Sequence, residues 1–489
     1  MYRHSLWIFA SLLTCTQVQA QWWIEATDLS QKADLQLLSD YGLIRQPVNT
    51  YPLFWAGIKQ DLDAVDMSQL NDEQLLAVGR LQQQWQQQQQ APLAAKVTLH
   101  AASDQDAYKS FGEDFTDSAA ARGSLSFQSE HFSGRLTGTY HSTDEQGNRS
   151  RLDHSYMAAK LGNWVLTAGR VDQFWGPSWD SSTIMSHNAR PLAGISLSRY
   201  NSNADSWLSS ITGPWTFTSR FARMEELKAE EVAQGAINNA QVWSSRASIR
   251  PISKLELGFS WVMMWGGDGY GNGLSDWYQG LFRGGALEGH ENMLAGYDAR
   301  YSDIWFDRPV GFYMMATSED FNRQKYKLTK VSYQVGADIY LTEIKSRLYL
   351  EFTGNNAYCN DIEKNNCLYE HDKFLQGYRS YHKSIGSTYD NDALVLQLGL
   401  IRQLENGANW QHKLAWIRLN VDATDRPLPG GNPISRGRYE RQYQWQQSYR
   451  HPTSYGNLEL GTDLIYSRTP AMGEQDWDTR LFFNWSRQF

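Results

Sequence analysis

The densest group of side chains that could recognise a ligand lies between residues 170 and 191. Flat aromatic faces and directional hydrogen-bonding groups alternate there around a Gly176-Pro177 turn. Sugar rings present C–H faces and fixed hydroxyls, and an arginine pairs bidentately with a uronate carboxylate. The stretch therefore predicts carbohydrate contact, although tryptophans near strand ends also form interfacial girdles and Asp–Arg pairs also pin loops. The candidates are Trp175, Trp179, Asp180, Asn188 and Arg190.

A pair of cysteines marks a second polar stretch. Cys359 and Cys367 are eight residues apart, and in an exported protein such a pair predicts a disulfide. A metal site that also uses His371 is the weaker alternative, because two thiols without paired histidines are a poor zinc signature. Tyr378 and Arg379 follow the cysteines and are further candidates for glycan contact.

Catalytic patterns are missing from the sequence. It contains no nucleophile elbow, zinc pair or phosphate-binding loop. His141 and Ser142 are adjacent, so on a strand they point to opposite faces and do not pair simply. Scattered acidic residues would suit a glycosidase only at a spacing that sequence does not reveal. We therefore expect no enzyme activity, no cofactor and no metal.

The end of the chain indicates which elements position these residues. Between Arg480 and Phe489 aromatic and polar residues alternate, with Phe482 as the exception. A period of two with apolar side chains outward suits a strand between lipid and a wet lumen. The outward set is Leu481, Phe483, Trp485 and Phe489, and the inward set is Arg480, Asn484, Ser486 and Gln488.

Composition supports a membrane barrel. The chain has 489 residues, 13% of them aromatic, with 20 Trp and 26 Tyr. A mean hydropathy of -0.57 excludes a helical membrane bundle. A polar chain rich in Trp and Tyr suits a barrel with aromatic girdles. The net charge of -8 gives no indication of nucleic-acid binding.

The first twenty residues predict export. Arg3 and His4 give a positive start, residues 5–14 are largely apolar, and Val18-Gln19-Ala20 is a small-x-small cleavage site. This pattern is typical of a secretory signal peptide over residues 1–20. Cys15 is preceded by a poor lipobox, so we do not expect a lipoprotein.

Residues 21–95 predict a small helical domain that ends in a glutamine-rich linker. Helical spacing of Leu35, Leu38 and Tyr41 predicts a first helix that stops at Gly42. A second helix is expected over 53–65. The capping box Asn71-Asp72-Glu73-Gln74 opens a third, and the run 86–90 is interpreted as the linker.

From residue 96 onward the period changes to two, which predicts a mainly β region over 96–489. Eight short connectors alternate with nine long polar ones, so the pattern predicts 18 strands. Bacterial barrels place short turns in the periplasm and long loops outside. An even count then places the helical domain in the periplasm. Eighteen strands leave a wet lumen unless loops or helices fill it.

Several ordered motifs resemble the capsule assembly Wzi family. They run from Trp22-Trp23-Ile24-Glu25 to Gly377-Tyr378-Arg379 and include Trp175-Gly176-Pro177 and Asn188-Ala189-Arg190-Pro191. The likeness covers nearly the whole mature chain. It implies an 18-stranded outer-membrane lectin with a periplasmic helical domain, which holds capsular polysaccharide and does not hydrolyse it. The stretch Thr317-Ser318-Glu319-Asp320-Phe321 and the glycine-rich loop 266–292 depart from the family pattern.

Our hypothesis is an outer-membrane lectin for a capsular polysaccharide or exopolysaccharide, and the alternatives are a diffusion channel and a hydrolase. Outer-membrane lipid and lipopolysaccharide are expected partners, nucleic acid is not, and the family suggests a monomer. Arg436 is a last glycan candidate, although rim arginines more often pair with lipopolysaccharide phosphates or lumenal carboxylates. Replacing Trp175 and Trp179 by Ala is expected to weaken glycan binding without unfolding the barrel.

Overall fold

The computed structural model describes residues 21–89, 93–143, 148–233, 236–283, 287, 290–319, 321–322, 327–357, 367–424, 432–435 and 437–489. Most of them form one closed antiparallel barrel of 18 strands, in which the last strand pairs with the first. The predicted fold class is confirmed. The strands are β1 Leu93–Ala102, β2 Ala119–Gln128, β3 Phe132–His141, β4 Tyr156–Leu161, β5 Trp164–Arg170, β6 Ala193–Arg199, β7 Trp215–Arg223, β8 Gln241–Ile252, β9 Leu255–Trp265, β10 Glu291–Trp305, β11 Arg308–Glu319, β12 Val331–Leu341, β13 Ser346–Gly354, β14 Ala393–Gln403, β15 Asn409–Leu419, β16 Glu440–Thr453, β17 Gly456–Thr469 and β18 Glu474–Gln488.

Alternation along the strands separates a polar lumen from an apolar outer wall. In β9, Glu256 and Ser260 face the lumen and are buried, whereas Phe259 faces outward and is exposed. In β18, Leu481 and Phe483 are exposed on the outer wall while Arg480 is buried inside. A strand needs this period when one face meets lipid and the other meets polar side chains.

The connections alternate as predicted between a short-turn end and a long-loop end. Eight connections lie at the first end and nine at the second. Two depart in length: residues 200–214 form a fifteen-residue connection at the short-turn end, and residues 470–473 make a tight turn at the long-loop end. Among the described residues, no helix is both long and apolar enough to span a membrane.

Three helices precede the barrel: α1 Leu29–Asp40, α2 Trp55–Asp63 and α3 Asp72–Gln89. The predicted capping box is present, because Asn71 and Gln74 exchange hydrogen bonds between side chain and backbone N–H at 3.0 Å in both directions. Gly42, at a φ of 74°, follows the end of α1 as predicted. The segment predicted as a linker is helical up to Gln89.

Helix α1 lies inside the barrel. Every residue of α1 except Gln31 is buried. Its leucines pack against lumen-facing aromatic side chains of three strands, including Tyr313, Tyr340 and Tyr349. The helices therefore fill part of the lumen from the short-turn end.

Smaller elements lie within the connections and in the segment before the barrel. Two-residue strands pair Trp23–Ile24 with Leu53–Phe54, Thr50–Tyr51 with Phe174–Trp175, Phe321–Asn322 with Lys327–Leu328, and Arg379–Ser380 with Lys383–Ser384, and Ser150–Arg151 extends the edge of β3. Further helical segments are Ser209–Thr212, Ala229–Ala233 and Leu274–Arg283, and single helical turns span Met67–Gln69 and Thr342–Ile344.

Candidate functional site

Two long loops fold back into the barrel and pack against each other. Residues 171–192 and 367–392, here called the inner loop pair, are joined by backbone and side-chain hydrogen bonds. Ser186 N donates to Ile385 O at 2.8 Å, and Thr388 N donates to the Ser181 hydroxyl at 2.8 Å. This unit brings together most of the residues that the sequence marks as glycan candidates.

Both candidate tryptophans lie within the packed interior. Trp175 is 0% exposed, and its indole N–H donates to Gln173 Oε1 at 3.3 Å. Trp179 is 1% exposed, donates its indole N–H to Asp338 Oδ2 at 3.0 Å, and stacks on Tyr349. A glycan at the long-loop end would reach these rings only after the inner loop pair moved, although Trp179 also lines the interior cavity described below. Their Ala variants would leave large cavities, so unfolding and loss of binding must be measured separately.

Asp180 connects the inner loop pair to the barrel wall. Its carboxylate lies 3.1 Å from Lys413 Nζ and accepts hydrogen bonds from Tyr389 at 2.9 Å and Gln397 at 2.8 Å. Burial acts to raise the pKa of Asp180, but the Lys413 charge and the hydrogen bond from Gln397 hold it below its ordinary value. The arrangement satisfies a buried carboxylate and anchors the loop.

Asn188 and Tyr378 also make contacts inside the loop pair. Asn188 Nδ2 donates to Ser384 O at 3.1 Å, and the Tyr378 hydroxyl donates to Ile184 O at 3.0 Å. Both side chains are buried. Each joins one loop to the other, so the two loops hold their shape together.

Arg379 forms a buried ion-pair cluster at the base of a hairpin. It donates two hydrogen bonds to Asp390, at 2.9 and 2.6 Å, and one to Glu370 at 2.6 Å. Burial raises the pKa of Glu370 to about 7, against the lowering effect of Arg379. Arg379 thus fixes the hairpin rather than presenting its charge to solvent.

Arg190 is the described candidate with solvent access at the long-loop end. Its guanidinium carbon lies 4.0 Å from the centroid of the Tyr381 ring, and its Nε donates to Asp153 at 2.7 Å. Tyr381 and His382 form the tip of the hairpin Arg379–Ser380 and Lys383–Ser384. Both have positive φ, as a type I′ turn requires. The His382 side chain is 64% exposed.

The sequence pattern selected Tyr378 and Arg379, which lie in the buried base of the hairpin, and missed the exposed tip at Tyr381 and His382. The alternation of aromatic and polar candidates for glycan contact does not indicate which side chains point outward. Tyr381 and His382 are not the Asn-Gly or Asp-Gly pair that marks a type I′ turn, so the turn left no clear signal in the sequence. Arg436 and Cys359 lie outside the described residues, and Cys367 is disulfide-bonded, so the Cys359–Cys367 pairing stays a prediction.

A buried lysine holds α1 against the inner loop pair. Lys32 Nζ donates to the Ser178 carbonyl and lies 4.1 Å from the centroid of Phe111, 4.9 Å from Phe174 and 5.3 Å from Trp179. Cations are attracted to aromatic faces at such distances. Burial lowers the pKa of Lys32 to about 7. The helix and the loop pair therefore share one aromatic cage.

Beneath this cage, two arginines and two aspartates form a closed ionic network. Arg300 and Arg347 project from β10 and β13 into the lumen, where both contact Asp40 of α1, at 3.2 and 3.0 Å. Both also pair with Asp338 of β12. All four side chains are at most 2% exposed. Helix α1 is thus fixed to the wall by charges that water does not reach.

On the other side of the lumen the inner loop pair leaves a polar cavity of about 380 Å³. Its lining extends from Gln21, Gln84 and Gln488 at the short-turn end to Asp106 and Arg480 in mid-barrel. Trp179 and Asp180 contribute to its wall. The volume lies in the range of small-molecule sites. Within the described part of the chain, no group of three or more His, Cys, Asp or Glu is arranged to hold a metal ion.

Comparison with known proteins assigns the family. A family model described as Capsule assembly protein Wzi matches residues 88–474. The chain belongs to this family. The resemblance seen in the sequence motifs is therefore confirmed, and the closed barrel with inward-folded loops and helices is the form that the family takes in this chain.

Two individual proteins illustrate the relationship. An uncharacterized 55.8 kDa protein in the cps region of Klebsiella pneumoniae is 28% identical over 306 residues, covering 60% of this chain and 57% of that protein. The match thus spans little more than half of that relative. The structure described as Wzi, an outer membrane protein involved in group 1 capsule assembly in Escherichia coli and a carbohydrate binding β-barrel, is 22% identical with a TM-score of 0.79, covering 95% of this chain and 99% of that one. At that identity the likeness shows the shared fold.

Proposed function

We propose that the protein is an outer-membrane lectin that binds and retains capsular or related polysaccharide at the cell surface and so contributes to capsule assembly. Membership of the capsule assembly family supports this role, as does the description of the similar E. coli barrel as carbohydrate binding. The same relationships favour a binding protein over an enzyme. In this proposal the protein acts as a monomer and needs no cofactor.

The observation that carries the proposal is the filled lumen. Helix α1, the aromatic cage of Lys32 and the ionic network of Asp40 occupy the space that a diffusion channel would keep open. A barrel closed in this way offers surfaces for binding rather than a path for solutes. Retention of a long polymer would then come from many weak contacts along its length.

The orientation and domain organisation follow from the barrel rule for bacteria. Short turns face the periplasm and long loops face outward. The proposal therefore assigns residues 1–20 to a signal peptide, 21–95 to the periplasmic end, and 96–489 to the barrel with its extracellular loops. Polysaccharide would meet the long-loop end.

The exposed hairpin tip is the surface that best suits glycan contact at that end. Tyr381 offers an aromatic ring, Arg190 lies stacked on it, and His382 projects into solvent. Asp153 already pairs with the Arg190 guanidinium, so the Tyr381 ring suits the C–H face of a sugar and the Arg190–Asp153 pair suits its hydroxyls. In the proposed function Trp175, Trp179, Asp180, Asn188, Tyr378 and Arg379 act with this tip, as the residues that hold the loop pair in shape.

Direct binding tests the proposal. Purified full-length protein in detergent is passed over immobilised capsular polysaccharide from the strain that produces it. Retention of the unmodified protein, and a several-fold weaker retention of the double variant Arg190→Ala/Tyr381→Ala, are expected. Trp207→Ala is the control, because Trp207 is exposed in the connection 200–214 at the opposite end. Failure of the unmodified protein to bind would contradict the proposal.

Two further readouts separate the alternatives. Steady, large single-channel conductance in a planar bilayer would identify a diffusion channel, and the filled lumen leads us to expect none. Shortening of the polysaccharide during incubation would identify a hydrolase, and unchanged chain length is expected.

A further inference from the structure

Three arginines stand side by side at the long-loop end of β15, β16 and β17. Arg418 lies opposite Arg441 in the antiparallel register, and Arg441 lies opposite Arg468. Residues opposed in this way share one face of the sheet, with Cβ atoms about 4.5–5.5 Å apart. We call Arg418, Arg441 and Arg468 the arginine row.

The arginine row faces away from the lumen. The residues two positions nearer mid-barrel on the same face are Trp416, Tyr443 and Tyr466, which also lie opposite one another. Tyr443 is exposed on the outer wall, whereas the intervening Ile417 is buried on the lumen side. Cationic side chains directly beyond an outward aromatic belt occupy the level of lipid headgroups in a membrane barrel.

Within the described residues, no carboxylate lies at ion-pair distance from the row. Arg418 and Arg441 instead both donate through Nε to the hydroxyl of Tyr439, at 3.2 and 2.6 Å. The nearby acids of these strands face the lumen, where Glu440 accepts from Gln442 and Asp463 pairs with Arg480. Like charges placed directly opposite each other on a sheet are destabilising. The row therefore presents positive charge that a bound anion would neutralise.

The shared tyrosine reflects this positive environment. Burial acts to raise the pKa of Tyr439, but the hydrogen bonds and charges of Arg441 and Arg418 lower it below its ordinary value. A fourth cation, Arg438, directly precedes Tyr439 in the chain, and its Nη1 lies 2.8 Å from the sulfur of Met472. An oxyanion bound here would meet several N–H donors.

We propose that the arginine row, together with Tyr439, binds the phosphate groups of a phosphorylated glycolipid in the outer leaflet. The planar guanidinium presents paired N–H donors that match phosphate oxygens. The aromatic belt below the row would meet the glucosamine and acyl part of the same lipid. This inference rests on insertion of the barrel in the outer membrane and is independent of polysaccharide retention.

The test compares two double variants of the full-length protein in detergent. Arg441→Gln/Arg468→Gln removes two charges from the row. Arg402→Gln/Arg487→Gln removes two charges from strands β14 and β18 at the short-turn end. Binding of a bisphosphorylated glucosamine lipid is measured by native mass spectrometry, and heat-modified electrophoretic mobility reports folding.

We expect the row variant to bind the lipid about tenfold more weakly than the unmodified protein, and the control variant to bind it normally. Enzymatic removal of the lipid phosphates should weaken binding to the unmodified protein by a similar factor. Equal lipid binding by both variants would overturn the proposal. Displacement of the lipid by inorganic phosphate at equal concentration would show that the row recognises phosphate alone, and would overturn the assignment to a lipid. Loss of polysaccharide binding in the row variant, with lipid binding retained, would also overturn that assignment.

Discussion

The two sides of the lumen use polar residues in opposite ways. In front of β8–β13, here called the filled half, Arg300 and Arg347 are buried and pair both with Asp338 and with Asp40 of α1. In front of β1, β2 and β15–β18, here called the cavity half, pairs such as Arg450–Glu459 line a cavity of about 380 Å³. The same residue types therefore hold α1 in the lumen on one side and line a polar cavity on the other.

This difference should be visible in the cost of removing one charge. A buried network that loses one partner keeps an uncompensated charge, whereas a pair beside a cavity can exchange its lost partner for water. Comparable substitutions on the two sides therefore measure how completely each half is closed to water.

The largest effect is expected in the ionic network of the filled half. Among the described residues, Asp338→Asn leaves Asp40 as the one carboxylate that pairs with Arg300 and Arg347, so the free energy of unfolding should fall by about 3–5 kcal/mol. Urea-induced unfolding of the refolded barrel measures it. Asp303→Asn is the control, since Asp303 pairs with Lys254 near the surface and should give no measurable change. Equal midpoints for the two variants would show that water reaches the network.

A similar loss is expected from the aromatic core between the halves. Trp179→Ala removes a ring that is 1% exposed and stacked on Tyr349, so unfolding should become easier by about 3–5 kcal/mol. The control Trp207→Ala removes a ring that is 79% exposed and should change little. If the Trp179→Ala protein were fully stable but bound glycan more weakly, the result would indicate that the Trp179 ring contacts the sugar directly.

A pH-dependent effect is expected at Lys32. Burial lowers its pKa from 10.5 to about 7 in the folded protein. Between these values the unfolded chain binds a proton that the folded chain does not, so stability should rise from pH 7 to pH 9, by up to about 2 kcal/mol. Lys32→Met should remove this rise, and the surface variant Lys59→Met should keep it. A rise of the same size in Lys32→Met would assign the effect to other groups.

The smallest effect is expected in the cavity half. Glu459→Gln leaves Arg450 with Asp28, 3.3 Å away, and with access to the cavity. We expect a loss of at most about 1 kcal/mol in the same urea experiment. A loss as large as that of Asp338→Asn would mean that the cavity half is as closed as the filled half.

Much of the barrel could be predicted because its rules are local. The alternation in β9 and β18 follows from the two solvents on either side of a strand, and the capping box at Asn71 identifies the start of α3. Alternating short and long connectors gave the strand number. The connection 200–214 was expected to be shorter, because its helical segment Ser209–Thr212 carries no strong periodicity.

The interior of the barrel could not be predicted in the same way. The local sequence around Trp175 and Trp179 fits a membrane girdle, a sugar platform or a buried core position. Only long-range contacts distinguish these roles, such as those of Trp179 with Tyr349, Asp338 and Glu351. Lys32 lies in an ordinary helical sequence, and its cage is assembled from residues up to about 150 positions away. Such long-range packing leaves no periodic signal in the chain.

The central claim, retention of surface polysaccharide by a closed barrel, is tested most directly in the cell. Surface-bound and released capsular polysaccharide are quantified in the producing strain, in a strain lacking the protein, and after complementation with the full-length chain. We expect the strain without the protein to synthesise a normal total amount but to shed most of it into the medium, and complementation to restore it to the surface. An unchanged ratio of bound to released polymer would contradict the account.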